Sequence, residues 1–131
     1  MVVRAALGER PEALELRAAP EYGPHDAGVR SLGGDGPMVE RVPVVRFDDS
    51  AKEADLSRLD IVKLDVEGWE EAALRGMRES LGRLRPRTII VELRSDARTT
   101  QTRGVSELLR RAGYIESAET LFSGNHVFTA G

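Results

Sequence analysis

Leu59-Asp60-Ile61-Val62-Lys63-Leu64-Asp65-Val66 is a nearly continuous apolar run of strand length, the pattern of a parallel strand covered on both faces. Gly68 then turns the chain. Trp69, Ala73, Met77, Leu81 and Leu84 recur at spacings of 4, 4, 4 and 3, which traces one stripe along a single helix that Pro86 ends. Thr88-Ile89-Ile90-Val91-Glu92-Leu93 follows at once and is rich in β-branched residues, so a second strand is expected. The order strand, helix, strand predicts an α/β fold with parallel strands.

Working outward, Val105, Leu108, Leu109 and Ala112 fall at i, i+3, i+4 and i+7, a helical face that Gly113 closes as a C′ residue. Residues 114–121 and 126–129 flank Ser123-Gly124-Asn125 and suit a terminal antiparallel hairpin. Upstream, residues 1–7 read as a short buried strand ended by Gly8. Leu14 and Leu16 alternate with Glu15 and Arg17, while Val42, Val44, Val45 and Phe47 alternate less cleanly around Pro43. Proline removes a ladder donor, so these two segments are expected to be edge-type strands. Residues 20–37 hold Pro20, Gly23, Pro24, Gly28, Gly33, Gly34, Gly36 and Pro37, the composition of a mobile loop. The expected architecture is one domain over residues 1–131: a three-layer α/β sheet with parallel central strands, a terminal antiparallel hairpin and helices on both faces.

Composition narrows the function. The 131 residues are 40% apolar and 31% charged with a net charge of −3, ordinary for one globular domain and without the basic excess that nucleic acid or anionic lipid would call for. The chain holds no cysteine, which excludes disulfides, thiolate metal sites and a cysteine nucleophile. With His25 and His126 as its two histidines, a multi-histidine metal site is excluded too, and no metal is expected. No apolar run reaches the ~20 residues of a membrane span, and the amino end lacks a secretory pattern, so a cytoplasmic protein is expected.

In parallel α/β sheets, ligands sit beyond the carboxyl ends of the strands. That rule selects Asp65, Glu67 and Gly68 after the first apolar strand and Glu92 at the end of the second. Three carboxylates there could bind a hard divalent ion, orient a substrate hydroxyl, or supply a general base if burial raises one of them. Asp65 or Glu67 could instead cap the following helix. Lys63 lies inside an otherwise apolar strand, where an ammonium needs a partner such as Glu92 or Asp65. That leaves a structural pair and a substrate-contacting lysine both open. Gly33-Gly34-Asp35-Gly36 lacks the feeding strand and following helix of a phosphate loop and reads as a hairpin tip. Trp69 is expected in the core, and His126 as a structural histidine in a terminal strand.

Residues 61–70, with Asp60 before them and Ala73-Leu74-Arg75-Gly76 after them, resemble the FkbM family of S-adenosylmethionine-dependent methyltransferases. Its motif runs roughly Asp-hydrophobic-hydrophobic-Lys-hydrophobic-Asp-hydrophobic-Glu-Gly-x-Glu, and Asp60, Lys63, Asp65, Glu67, Gly68 and Glu70 match it. Ala6-Leu7-Gly8 resembles the segment after the family's third strand, and residues 29–32 with 42–47 its inserted hairpin. The resemblance implies an incomplete Rossmann-like sheet and methyl transfer from S-adenosylmethionine to a hydroxyl of a small molecule such as a sugar or polyketide. It places Ala6 and Leu7 near the adenine and Asp65 near the reacting methyl group, with Lys63, Glu67 and Glu92 supporting or orienting the acceptor. The family's glycine-rich cofactor turn has no match here, so the chain reads as shortened at its amino end.

Two rival readings accompany this one. A non-catalytic α/β remnant would act by association through an uncovered sheet edge, and a metal-dependent hydrolase would use the three acids. Losing the glycine-rich turn removes several hydrogen bonds worth ~1 to 3 kcal/mol each. Isothermal titration of the purified chain is therefore expected to find S-adenosylmethionine binding no tighter than roughly millimolar, and light scattering to find self-association through an exposed strand.

Overall fold

The computed structural model describes residues 2–18, 30–32, 36–93, 100–118 and 124–131. His25, residues 33–35 of the glycine-rich tip, and residues 94–99 and 119–123 lie outside them. Among the described residues, two four-stranded sheets, rather than one, organise the fold. The first holds β1 (Ala6–Leu7), β2 (Glu12–Ala18), β3 (Arg30–Leu32) and β4 (Met38–Val45) in the order β1-β4-β2-β3. The second holds β5 (Ile61–Leu64), β6 (Thr88–Glu92), β7 (Tyr114–Glu116) and β8 (Asn125–Ala130) in the order β5-β6-β8-β7. Four helices accompany them: α1 (Phe47–Glu53), α2 (Glu70–Arg75), α3 (Arg78–Arg83) and α4 (Thr100–Arg111).

The strand–helix–strand reading holds in the second sheet, where β5 and β6 run parallel with Ile61 opposite Thr88 and Leu64 opposite Val91. The terminal strands β7 and β8 pair antiparallel, and β8 also pairs antiparallel with β6. In the first sheet three expectations change. Both β2 and β4 are inner strands, not edges, because the short strands β1 and β3 flank them. Pro43 is accommodated because β1 pairs only with Val44 and Val45, so the proline lies just outside that ladder. The expected strand over residues 1–7 shrinks to Ala6–Leu7, and Arg30–Leu32 of the expected loop is a strand paired with β2.

The single helix expected from Trp69 to Leu84 is two. Its stripe is real, for Ala73, Met77 and Leu81 are all buried, but the chain breaks between α2 and α3 at Gly76 and Met77. Gly76 is pressed against the Gly8 carbonyl so closely that a methyl group in its place would overlap that backbone. Its own carbonyl accepts the Asp48 amide at 3.0 Å. The buried Asp48 carboxylate then accepts the amides of Glu79 and Ser80 at 3.0 and 2.8 Å, satisfying orphan donors in the first turn of α3. A fresh helix start is thus stabilised where a continuous helix would have run through. Helix α1, which carries Asp48, has acids in its first turn at Asp48 and Asp49 and begins at Phe47, a residue expected at the end of a strand.

The core lies on one side of the second sheet. Val62, Leu64, Ile89, Val91 and Phe128 meet Ala73 and Leu74 of α2, Met77 and Leu81 near α3, and Val105 and Leu109 of α4. Alternation sends Ile61, Lys63, Ile115 and Thr129 to the opposite side, where each is exposed. Among the described residues, helices therefore cover one face and not both. Gly113, at φ +85°, ends α4 as expected. Asp48→Ala would leave the Glu79 and Ser80 amides without an acceptor, each costing about 1–3 kcal/mol. The expected outcome is a loss of about 2–5 kcal/mol in urea unfolding, with a smaller loss for Asp48→Asn, which keeps an acceptor oxygen.

Candidate active site

The carboxyl ends of β5 and β6 bring Lys63, Asp65 and Glu92 together. Lys63 Nζ lies 3.1 Å from an Asp65 oxygen and 3.6 Å from a Glu92 oxygen. Both acids named as partners from sequence are thus in place. The expected burial is not, for the Lys63 side chain is 46% exposed. It stands on the uncovered face of the sheet, where alternation puts it out of phase with buried Val62 and Leu64. Its ammonium escapes the desolvation cost of a core position and acts as a half-solvated bridge between two strands.

Beyond Asp65 the backbone turns sharply. Glu67 and Gly68 both adopt positive φ, +49° and +96°. Gly68 accepts that freely, whereas Glu67 carries a side chain in a region that costs such residues of order 1 kcal/mol or more. The turn is held by Glu70, a residue the motif contained but to which no role was attached. Its buried carboxylate accepts the amides of Val66 and Gly68, each at 3.2 Å. Helix α2 has no side-chain cap at Trp69, so neither Asp65 nor Glu67 is the capping residue. The available signal was position: Glu70 opens the helix and can reach back over the turn, as an acid at a helix start commonly does.

Glu67 is exposed at the mouth of this turn. Partial desolvation of its carboxyl, followed by the charges of Asp65, Glu92 and Glu70, pushes its pKa above the ordinary carboxylate value. Asp65, Glu67 and Glu92 consequently form one electrostatic group. Among the described residues, no cluster of three or more His, Asp or Glu is arranged to hold a metal ion.

The two residues assigned to adenine lie in the other sheet. Leu7 lines an apolar cleft of about 360 Å³ with Val3, Ala5, Val45, Phe47 and Ala51, and Ser50 is a polar group on its wall. Ala6, out of phase with Ala5 and Leu7, does not line it. A second groove of about 380 Å³ between α2 and α4 sets Glu9, Glu71 and Glu107 against Arg75, Arg78 and Arg111, leaving no net charge to attract an ion. Trp69 is half-buried, and its buried indole Nε1 has no hydrogen-bond partner among the described residues. His126 Nδ1 contacts Glu116 at 2.8 Å, the satisfied structural histidine that its strand position suggested.

The family profile described as the methyltransferase FkbM domain matches residues 12–116. The chain belongs to the FkbM methyltransferase family. No curated protein and no solved structure matches it. The FkbM match spans both sheets, from β2 to β7, and takes in the whole Lys63, Asp65, Glu67 and Glu92 group. Ala6 and Leu7 fall before the matched residues.

An acid that titrates higher in the folded than in the unfolded chain contributes stability while protonated and loses it as pH rises through the folded value. For this FkbM protein, Glu67→Gln is expected to melt above the wild type at about pH 7, where Glu67 is charged and repelled by its neighbours. The difference should close as the pH falls below about 4.5, the ordinary value for this group. Thermal melts of both chains at the two pH values check this.

Proposed function

We propose that this FkbM-family protein is an S-adenosylmethionine-dependent methyltransferase that methylates a hydroxyl oxygen of a small molecule. The observation that carries the reading is Lys63 bridging Asp65 and Glu92 at the carboxyl ends of two adjacent parallel strands, where α/β sheets bind ligands. A Rossmann-like origin for the second sheet agrees with its parallel β5 and β6.

The residues present fit parts of the cofactor. The apolar cleft at Leu7, with Ser50 on its wall, suits a flat nucleobase with a polar edge, and the carboxylates of Asp65, Glu67 and Glu92 suit a cationic sulfonium centre. S-adenosylmethionine, when bound, supplies an electrophilic methyl group on its sulfonium sulfur. This chain's residues must align the acceptor oxygen and take its proton. Lys63 fixes the Asp65 and Glu92 carboxylates, which are then positioned to accept hydrogen bonds from acceptor hydroxyls. Glu67, whose carboxyl is pushed above its ordinary value, is the candidate base. Its carboxylate would take the proton of the acceptor hydroxyl. The strained backbone of Glu67 is consistent with this role, because a residue held at positive φ is held there by its surroundings rather than by its own preference.

A base that removes the reacting proton contributes about 10² to 10⁴ in rate. Glu67→Gln and Asp65→Asn are each expected to lower kcat/KM at least tenfold while the thermal melt shows a folded chain. The assay is transfer of labelled methyl from S-adenosylmethionine to an acceptor hydroxyl. Wild-type rates in both variants would overturn the reading. Lys63→Met leaves two half-exposed acids unbridged; activity should fall with a changed KM and little loss of stability, because the lysine is not buried.

A further inference from the structure

Strand β8 brings one more polar side chain to the candidate site. Asn125, the chain's one asparagine, opens β8 and stands directly opposite Glu92 in the antiparallel ladder. Opposed residues in such a pair point to the same face, so Asn125 shares the face on which Lys63 reaches Glu92 at 3.6 Å. Its place along the strand is pinned, because the Leu93 amide donates to the Gly124 carbonyl at 2.7 Å. Gly124 turns the chain there at φ +98°, and a Cβ built on it would lie 3.9 Å from the Glu92 Cγ. The start of β8 thus runs close beside the Glu92 side chain.

Nothing among the described residues bonds to the Asn125 Oδ1, which is closed off from water although the residue as a whole is partly exposed. A buried amide oxygen left without a donor destabilises the fold that carries it. No partner among the described residues fixes the amide's orientation, and its terminal torsion is a broad one, so oxygen and nitrogen can exchange places. The groups beside it are one-sided: Asp65 and Glu92, when ionised, only accept, and the Lys63 ammonium is already shared between them. Asn125 adds both a donor and an acceptor. Opposed side chains leave the backbone roughly 4.5–5.5 Å apart at Cβ, a span that two hydroxyls on neighbouring carbons of one molecule can bridge.

We propose that Asn125 binds the acceptor, and that the acceptor carries two neighbouring hydroxyls, one donating to Glu92 and the other held by the Asn125 carboxamide. This contact rests on the reading of these strand ends as the acceptor site. Two small probes that differ by one hydroxyl, cis-1,2-cyclohexanediol and cyclohexanol, test it on the full chain. With Gln101 as the chain's one glutamine, a nitrogen–proton NMR spectrum holds two side-chain amide pairs, and Asn125→Leu identifies that of Asn125 by removing it. The diol is expected to shift the Asn125 pair and leave the Gln101 pair in place. Its Kd, read from backbone amides around Glu92, should be about three- to tenfold below that of cyclohexanol, the worth of one hydrogen bond. In Asn125→Leu the two probes should bind equally. That chain should also melt at or above the wild type, because the unpaired oxygen is gone, whereas loss of a residue kept for structure would lower the melt. An Asn125 pair unmoved by the diol, equal affinity of the wild type for both probes, or an Asn125→Leu chain that melts below the wild type would each overturn the proposal. A diol preference without methyl transfer from S-adenosylmethionine would leave this contact standing and remove the reaction instead.

Discussion

The carboxylate of Asp48 is buried, and it sits where the two halves of the molecule meet. It belongs to α1, which continues from β4 of the first sheet, and it accepts the first amides of α3, which lies over the second. Burying a carboxylate is costly unless its oxygens are used. Here both are, with the Arg46 guanidinium adding an ion pair at 3.2 Å. Around this point, Glu79 accepts from Arg46 and Lys52, and these contacts hold its carboxyl below the usual range. Glu79 is exposed, so its ion pairs add little by comparison. The buried capping bonds and the close passage of Gly8 against Gly76 fix how α1 meets α3. The same junction divides α2 from α3, leaving α2 a short helix whose start forms the far side of the Glu67–Gly68 turn. The Glu67–Gly68 turn thus has its geometry set from both ends: by β5 on one side and by a helix stop imposed by Asp48 and Gly8 on the other.

At the site itself, positive and negative charge are divided unevenly among the strand ends. One lysine serves two acids, and the third acid, Glu67, is pushed upward by the others. Desolvation and the charges of Asp65, Glu92 and Glu70 act on Glu67 in the same direction. Like charge gathered in this way costs stability in the free protein and favours positive charge that approaches it. This is the usual opposition between stability and function at a prepared site. The Glu67 backbone adds to it, because its positive φ is maintained by Glu70 bonding to the amides on either side.

The parts of the fold legible in the sequence are those governed by burial. β5, β6 and α4 follow from apolar periodicity, and the chain places their apolar residues in the core. The break between α2 and α3 was not legible, because the Ala73, Met77 and Leu81 stripe continues through it unchanged. Its cause is a tertiary contact from Gly8 and Asp48, distant in sequence from Gly76. The inner positions of β2 and β4 were hidden for a related reason: Pro43 marks an edge only where a neighbour needs its missing donor, and the two-residue β1 does not reach it. At the site, Lys63, Asp65 and Glu92 were legible as a group because parallel strand ends bring them together. The role of Glu70 was not, since its spacing from Val66 and Gly68 identifies no function until the turn is closed.

The alternation of β5 divides its side chains between the core and the candidate site. Val62 and Leu64 anchor it to the helices, so its backbone is held without help from the opposite face. Lys63 and Asp65 are then available to solvent or to a ligand, but their charges cannot be satisfied equally by both. A cation at the strand ends would compete with Lys63 for Asp65 and Glu92. Charge bound at the site should therefore loosen the Lys63 bridge between the two strand ends, and linkage makes that coupling reciprocal.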